Sequence, residues 1–280
     1  MISFISWTLS KLGWAGVTCP PPGDCFAPAL LTQSVSLSMK KAALAFGLSL
    51  LIPGSVLHSP SANQEQGQTS PLTTKFQFAR VQFNSPMGRR SAGWAHDYPR
   101  ADRHFLTILA EVTKVKTTPD SYVIVRLDDP ALMRYPALYF SEPGTWAITP
   151  EEARNLREYF LRGGFAIFDD FDGPYQWNNF QNCIKEVLPE STLHVLTLEQ
   201  SVFQCFFQIK TLDMVPPYDV GDKPIFYGIF DEKERLQVVV NFNNDIGDYW
   251  EWSDHSLHPI DHSNEGYKFG VNYVIYAMTH

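Results

Sequence analysis

The apolar positions of this chain follow two alternating periods. "KFQFARVQF", Lys75 to Phe83, alternates apolar and polar residues and predicts a strand. After a polar loop, "SPMGRRSAGWAHDYPRAD", apolar residues recur at Phe105, Ile108, Leu109 and Val112. That spacing predicts a helix from Arg103 to about Lys114, with Asp102 as its N-cap. "SYVIVRL" and "PALYFSE" predict two more strands. "TPEEARNLREYFLRGG" carries the strongest local signal. Thr149 is the N-cap, Pro150 the first helical residue and Glu152 the third, which makes a capping box. Ala153, Leu156 and Phe160 share one face, and Gly163 supplies a left-handed C′ residue.

"FAIFDD", Phe165 to Asp170, follows. Its consecutive apolar residues predict a strand buried on both faces, as in the middle of a parallel sheet. "WNNFQNCIKEVLP" predicts a helix ending before Pro189, and "LHVLTL" a strand. "PIFYGIFDEKERLQVVVNF" reads as a hairpin turning at Asp231 to Glu234. "EGYKFGVNYVIYAMTH" reads as an amphipathic helix with Phe269, Tyr273, Val274 and Ala277 inward. Strands alternating with helices give an α/β class with a largely parallel central sheet and a C-terminal hairpin and helix.

The N-terminal quarter, residues 1–74, follows neither period. Residues 39–62, "MKKAALAFGLSLLIPGSVLHSPSA", run from two lysines through an apolar stretch into small residues, the order of a secretory signal peptide. The stretch falls short of the roughly 20 residues that a spanning helix needs. Residues 1–38 are expected to be an upstream extension that precedes the true start at Met39; a genuine N-terminal extension is the alternative. Residues 63–74 read as a polar linker. A single domain, 75–280, remains, and the expected location is periplasmic or extracellular, with no stable membrane span once the leader is removed.

Composition narrows the partners. At 44% hydrophobic and 19% charged, the chain is an ordinary globular one. Its net charge of −8 argues against nucleic acid, which needs a basic face. Of the four cysteines only Cys183 and Cys205 lie beyond the leader, both in apolar settings, and they read as buried free thiols, with pairing in an oxidising compartment as the alternative.

"FARVQF", "LDDPALMRYPALYF", "LRGGFAIFDD", "FQCFF" and "GVNYVIYAMT" together resemble the bacterial family known as domain of unknown function 4159. The resemblance covers nearly all of the chain beyond the leader. It implies a fold similar to the class I glutamine amidotransferase-like proteins, a flavodoxin-like three-layer sandwich, and it implies no activity. Such an amidotransferase places a Cys nucleophile on a tight turn after a central strand. Here Asp-Asp-Phe-Asp-Gly stands at the matching place, and neither Cys183 nor Cys205 fits. Glutamine amidotransfer is therefore not expected, whatever the fold.

The candidate chemistry lies at strand ends, where open parallel sheets bind ligands. Asp169, Asp170 and Asp172 end the central strand. Alternation sends Asp169 and Asp170 to opposite sides, so one is expected to cap a turn or helix and another to face a crevice. Trp94, His96 and Asp97 follow the first strand. Asn244, Asp245, Asp248, Trp250 and Glu251 follow the last, and His255, His258 and His262 come next. The histidine spacing matches no standard zinc pattern and Pro259 interrupts any helix there, so neither a metal nor a cofactor is assigned. Two functional classes stay open. One is a non-catalytic binding or assembly module of the cell envelope, taking a small polar ligand or an envelope protein. The other is a carboxylate-dependent hydrolase or carbohydrate-active enzyme, for which acids beside a stacking Trp would speak.

Overall fold

The computed structural model describes residues 75–85, 93–214 and 223–280. The expected extension, signal peptide and linker (1–38, 39–62 and 63–74) lie outside these residues. Seven strands form one sheet: β1 Phe78–Gln82, β2 Tyr122–Arg126, β3 Ala137–Ser141, β4 Phe165–Phe171, β5 His194–Val195, β6 Ile225–Phe230 and β7 Leu236–Phe242. Their order is β2-β1-β3-β4-β7-β6-β5. The first five positions, β2 to β7, are parallel, and β6 and β5 are antiparallel additions at one edge. The expected hairpin is β6–β7, and its second strand lies inside the sheet beside β4.

Side-chain alternation splits the core into two layers. On β4, Phe165 and Ile167 join one cluster and Ala166 and Phe168 the other. On β3, Tyr139 and Leu138 divide in the same way. The first cluster is closed by three helices: α1 Arg100–Val112, α4 Ile246–Glu251 and α5 Ile260–Thr279. The second is closed by α2 Pro150–Leu161 and α3 Gly173–Val187. The result is helix on sheet on helix, the layered solution that buries both faces of a parallel sheet. No helix among the described residues is long and apolar enough to cross a membrane.

Local sequence signals are realised where their partners are local. The capping box is formed: the Glu152 amide donates to Thr149 Oγ1 at 3.2 Å, and the Thr149 amide to Glu152 Oε2 at 2.9 Å. Gly163 takes φ +93 and ends α2. Several expectations are corrected. α1 begins at Arg100, so Asp102 lies inside its first turn and is no N-cap; a buried arginine claims it instead. "LHVLTL" keeps only two residues of strand. α5 starts at Ile260, directly after Pro259 and five residues earlier than expected, so His262 is helical while His255 and His258 precede the helix. α4 was not foreseen at all.

Candidate functional site

The loop after β1 is shaped by Arg80, which is fully buried within the strand. Its Nε and Nη2 reach both oxygens of Asp102, the closest contact being 2.7 Å. Its Nη1 donates to the backbone carbonyls of Trp94 at 3.1 Å and His96 at 2.9 Å. One guanidinium thus ties strand, helix and loop together, the planar fork suited to such a task. Burial works against the Arg80 charge, and Asp102 more than offsets it, so the side chain stays ionised. Asp97 then takes a left-handed φ of +63, which turns its side chain inward.

The end of β4 answers what its acids do. A register shift between Phe168 and Phe171 and a left-handed Asp170, φ +67, send the two carboxylates apart. Asp169 is fully buried and fully engaged. It accepts from Tyr139 Oη at 2.8 Å and Asn241 Nδ2 at 2.9 Å. It also accepts from the amides of Ile246 at 3.2 Å and Gly247 at 3.0 Å, the first residues of α4. A short helix is therefore capped by a carboxylate 77 residues earlier in the chain. Asp170 faces the other way. Its Oδ2 accepts from Ser141 Oγ at 3.1 Å and lies 2.7 Å from His96 Nδ1, whereas its Oδ1 is buried without a hydrogen-bond donor.

The third arm follows β7. Asn244 accepts the Asp170 amide on its backbone carbonyl at 3.1 Å, which locks the two strand ends together. Asp245 is the N-cap of α4 and accepts from the Asp248 amide at 2.8 Å. Gly247 sits where a Cβ would come within 2.6 Å of Asp97 Oδ2 and 2.8 Å of Tyr139 Oη, so only glycine lets α4 approach so closely.

These arms bring together ligating atoms of His96, Asp97, Asp170 and Asp245, all within 4.8 Å of one another. Asp97 is 5% exposed, and neither of its oxygens accepts a hydrogen bond; Oδ1 lies 3.3 Å from His96 Nδ1. Burial raises its pKa to about 7, with His96 and Arg80 pulling the other way. Burial also lifts Asp170 and Asp245 well above the carboxylate range, and each is lifted further by the other acids. Burial lowers the His96 pKa, but Asp97, Asp245, Glu142 and Asp248 outweigh it and raise it overall. The ring is half exposed and marks the open side of the cluster. Carboxylates packed this closely, with both oxygens of Asp97 and one of Asp170 lacking a donor, require protons or a cation.

The remaining candidates are placed elsewhere. Trp250, expected in the crevice, is buried in the core. Its ring stacks on Phe105 at 4.6 Å and lies 5.7 Å from Tyr139, so it offers no stacking face to a ligand. Trp94 contributes its backbone carbonyl. The Asn244 side chain is buried against Met214. Asp172 precedes α3 without capping it and meets Gln176 instead, at 3.2 Å. The three histidines do not converge on one another: His258 pairs with Asp248 at 2.7 Å, His262 lies edge-on to Tyr249, and His255 packs against Trp252. Two residues that the sequence did not single out join the site. Ser141 and Glu142 follow one another at the end of β3, with Glu142 left-handed at φ +48 and half-buried near His96. The visible signal for them was their position one strand over from Asp169 and Asp170, which only the strand order reveals.

Both cysteines are free thiols, Cys183 buried as expected and Cys205 only partly buried. Cys183 Sγ lies 3.3 Å from the Trp146 carbonyl, and burial pushes its pKa up to about 11. Thiolate is the reactive form, so at pH 7 the native protein is expected to react with a thiol reagent far more slowly at Cys183 than a free cysteine does. Stopped-flow labelling with peptide mapping checks this, and labelling at the free-thiol rate would contradict it.

No curated protein matches the chain. A family model, described as "Domain of unknown function (DUF4159)", matches residues 77–278, from just before β1 to the last turn of α5. That span is well over half of the chain and includes every strand and helix described above, so the protein belongs to the domain of unknown function 4159 family.

Proposed function

We propose that this protein is an exported, cation-dependent binding domain, built on an amidotransferase-like, flavodoxin-like scaffold without a nucleophile. One observation carries the reading: Asp97 has both carboxylate oxygens buried and without donors, and it stands among the ligating atoms of His96, Asp170 and Asp245. A divalent ion supplies the missing positive charge. Three carboxylates and an imidazole suit a hard or borderline ion such as Ca²⁺, Mg²⁺ or Mn²⁺. The ligand is a small polar molecule whose oxygens complete the coordination on the side that His96 leaves open. The scaffold reading is supported by the strand order β2-β1-β3-β4-β7, whose parallel run follows the flavodoxin pattern, and by a site at the carboxyl ends of those strands. Export is supported by residues 39–62.

A second reading, a cation-assisted hydrolase, is favoured by the His96–Asp170 contact of 2.7 Å. A half-exposed imidazole oriented by a buried carboxylate is how a general base is built. Its carbohydrate-active form loses support because Trp250 is in the core.

The test is a thermal-shift series on chelator-treated protein with Ca²⁺, Mg²⁺, Mn²⁺ and Zn²⁺. A bound ion at 100 times its Kd should stabilise the fold by about 2.7 kcal/mol, a rise of several degrees. Asp97→Asn and Asp170→Asn should each remove the response while leaving the protein folded. If no ion shifts the wild type, or if Asp97→Asn responds as the wild type does, the reading fails.

A further inference from the structure

The carboxylates around Asp97 extend beyond the first four ligands. A second group, Asp97, Asp248 and Glu251, also has its ligating atoms within 4.8 Å of one another. Asp97 is common to both groups. Its two oxygens point in different directions: Oδ1 is 3.3 Å from His96 Nδ1, and Oδ2 lies against Gly247 of α4. Asp248 and Glu251 stand on that same helix, one turn apart, so both project from one face of it.

We propose that Asp97 bridges two divalent cations, the first held by His96, Asp170 and Asp245 and the second by Asp248 and Glu251. The inference rests on the cation reading above and adds a second metal position to it. Three features support it. First, neither Asp97 oxygen has a donor, although the side chain is fully removed from solvent. One cation on Oδ1 would still leave Oδ2 buried and bare, and a buried bare carboxylate oxygen is costly. Secondly, charge is better matched. The two groups hold the five carboxylates Asp97, Asp170, Asp245, Asp248 and Glu251, and one dication leaves most of that charge uncompensated. Arg80 offsets only part of it, because its guanidinium is already paired with Asp102. Thirdly, Asp248 is oriented from behind. Its Oδ2 is 2.7 Å from His258 Nε2 and its amide donates to Asp245 Oδ1 at 2.8 Å, the kind of outer-shell support that holds a ligating carboxylate in place. A carboxylate-bridged pair of ions would also give the site a reason to sit in an acidic pocket. Two adjacent cations clamp an oxyanion that the carboxylates alone would repel.

The experiment is Mn²⁺ binding to the full protein, followed by equilibrium dialysis and by electron paramagnetic resonance. Mn²⁺ accepts both oxygen and imidazole donors. The expected result is two Mn²⁺ per chain, with a spectrum broadened by coupling between neighbouring ions. Glu251→Gln, a conservative change at a partly exposed position, should bind one Mn²⁺ and give the six-line spectrum of an isolated ion. Asp97→Asn should lose the coupling altogether. Wild-type binding of a single, uncoupled Mn²⁺ that Glu251→Gln leaves unchanged would overturn the bridge and keep the first site. Two uncoupled ions would overturn it as well, since the sites would then not share Asp97. No binding at all would overturn both readings.

Discussion

Replacing Asp102 by Ala is expected to destabilise the protein by about 3–5 kcal/mol, the range seen when one partner of a buried ion pair is removed. The Arg80–Asp102 pair is fully buried on both sides, with a closest contact of 2.7 Å. Without Asp102 the guanidinium stays in the core with three of its hydrogen bonds gone and only the Trp94 and His96 carbonyls left. The Tyr139 ring, 4.8 Å from the guanidinium carbon, cannot replace a carboxylate. Arginine cannot escape by losing its proton. The damage reaches the site because the same guanidinium holds the backbone carbonyls of Trp94 and His96, the residues that lead into Asp97. Cation affinity should therefore fall together with stability, although Asp102 is not a ligand. Urea unfolding with and without the ion measures both. A loss below about 1 kcal/mol would mean that the pair is dispensable. The double variant Arg80→Met with Asp102→Leu gives the complementary result. It should recover much of the stability, because apolar replacements of a buried pair are often well tolerated, but not the cation affinity, since nothing then holds the loop.

This division between holding and binding explains what could be read along the chain and what could not. The α2 helix was legible because its signals are local: Thr149 and Glu152 cap each other across one turn. β4 was legible because seven consecutive residues are buried, and the acids at its end were plainly out of place in an apolar strand. α4 was not legible, because six residues in a polar stretch make no periodic signal. The helix exists through a tertiary cause, the Asp169 carboxylate at its N-terminus. Trp250 was misread for the same reason. In a loop it would be exposed, but on the inner face of α4 it packs on Phe105 and over Gly270, where a Cβ would come within 2.5 Å of its ring. His96, Asp97, Asp170 and Asp245 were each recognisable as candidates. Their convergence was not, because it depends on β1, β3, β4 and β7 lying side by side, and β7 arrives there from the far end of the chain. Sequence alone also assigned Asp102 to the wrong task. An acid at a helix start is usually a cap, and nothing nearby in the chain discloses an arginine 22 residues earlier.

Asp169→Ala should be nearly as damaging, about 3 kcal/mol, and for a related reason. Four donors converge on this carboxylate: a tyrosine hydroxyl, an asparagine amide and two backbone N–H groups. Burial disfavours its charge, while Asn241, Tyr139, Ile246 and Gly247 favour it. Removing the acceptor leaves those donors buried, and each orphaned group costs on the order of 1–3 kcal/mol unless it finds water or a new partner. Tyr273 Oη donates to Asn241 Oδ1 at 2.8 Å, so the loss would propagate to the inner face of α5. Asp169→Asn should retain part of the stability. One amide oxygen can still accept, but the new NH₂ group would face donors and fit poorly. The contrast with Asp170 is the informative part. Asp170 has an oxygen without a donor and is surrounded by like charges, so Asp170→Asn in cation-free protein should cost little or even stabilise the fold. Adjacent acids in one strand should thus give opposite results: Asp169 variants melt early with or without the ion, and Asp170→Asn melts normally but ignores it. Calorimetric scans of the two variants, each with and without the ion, decide the matter. Equal destabilisation by both, or a cation response that survives Asp170→Asn, would show that the two carboxylates do not divide the work between scaffold and site.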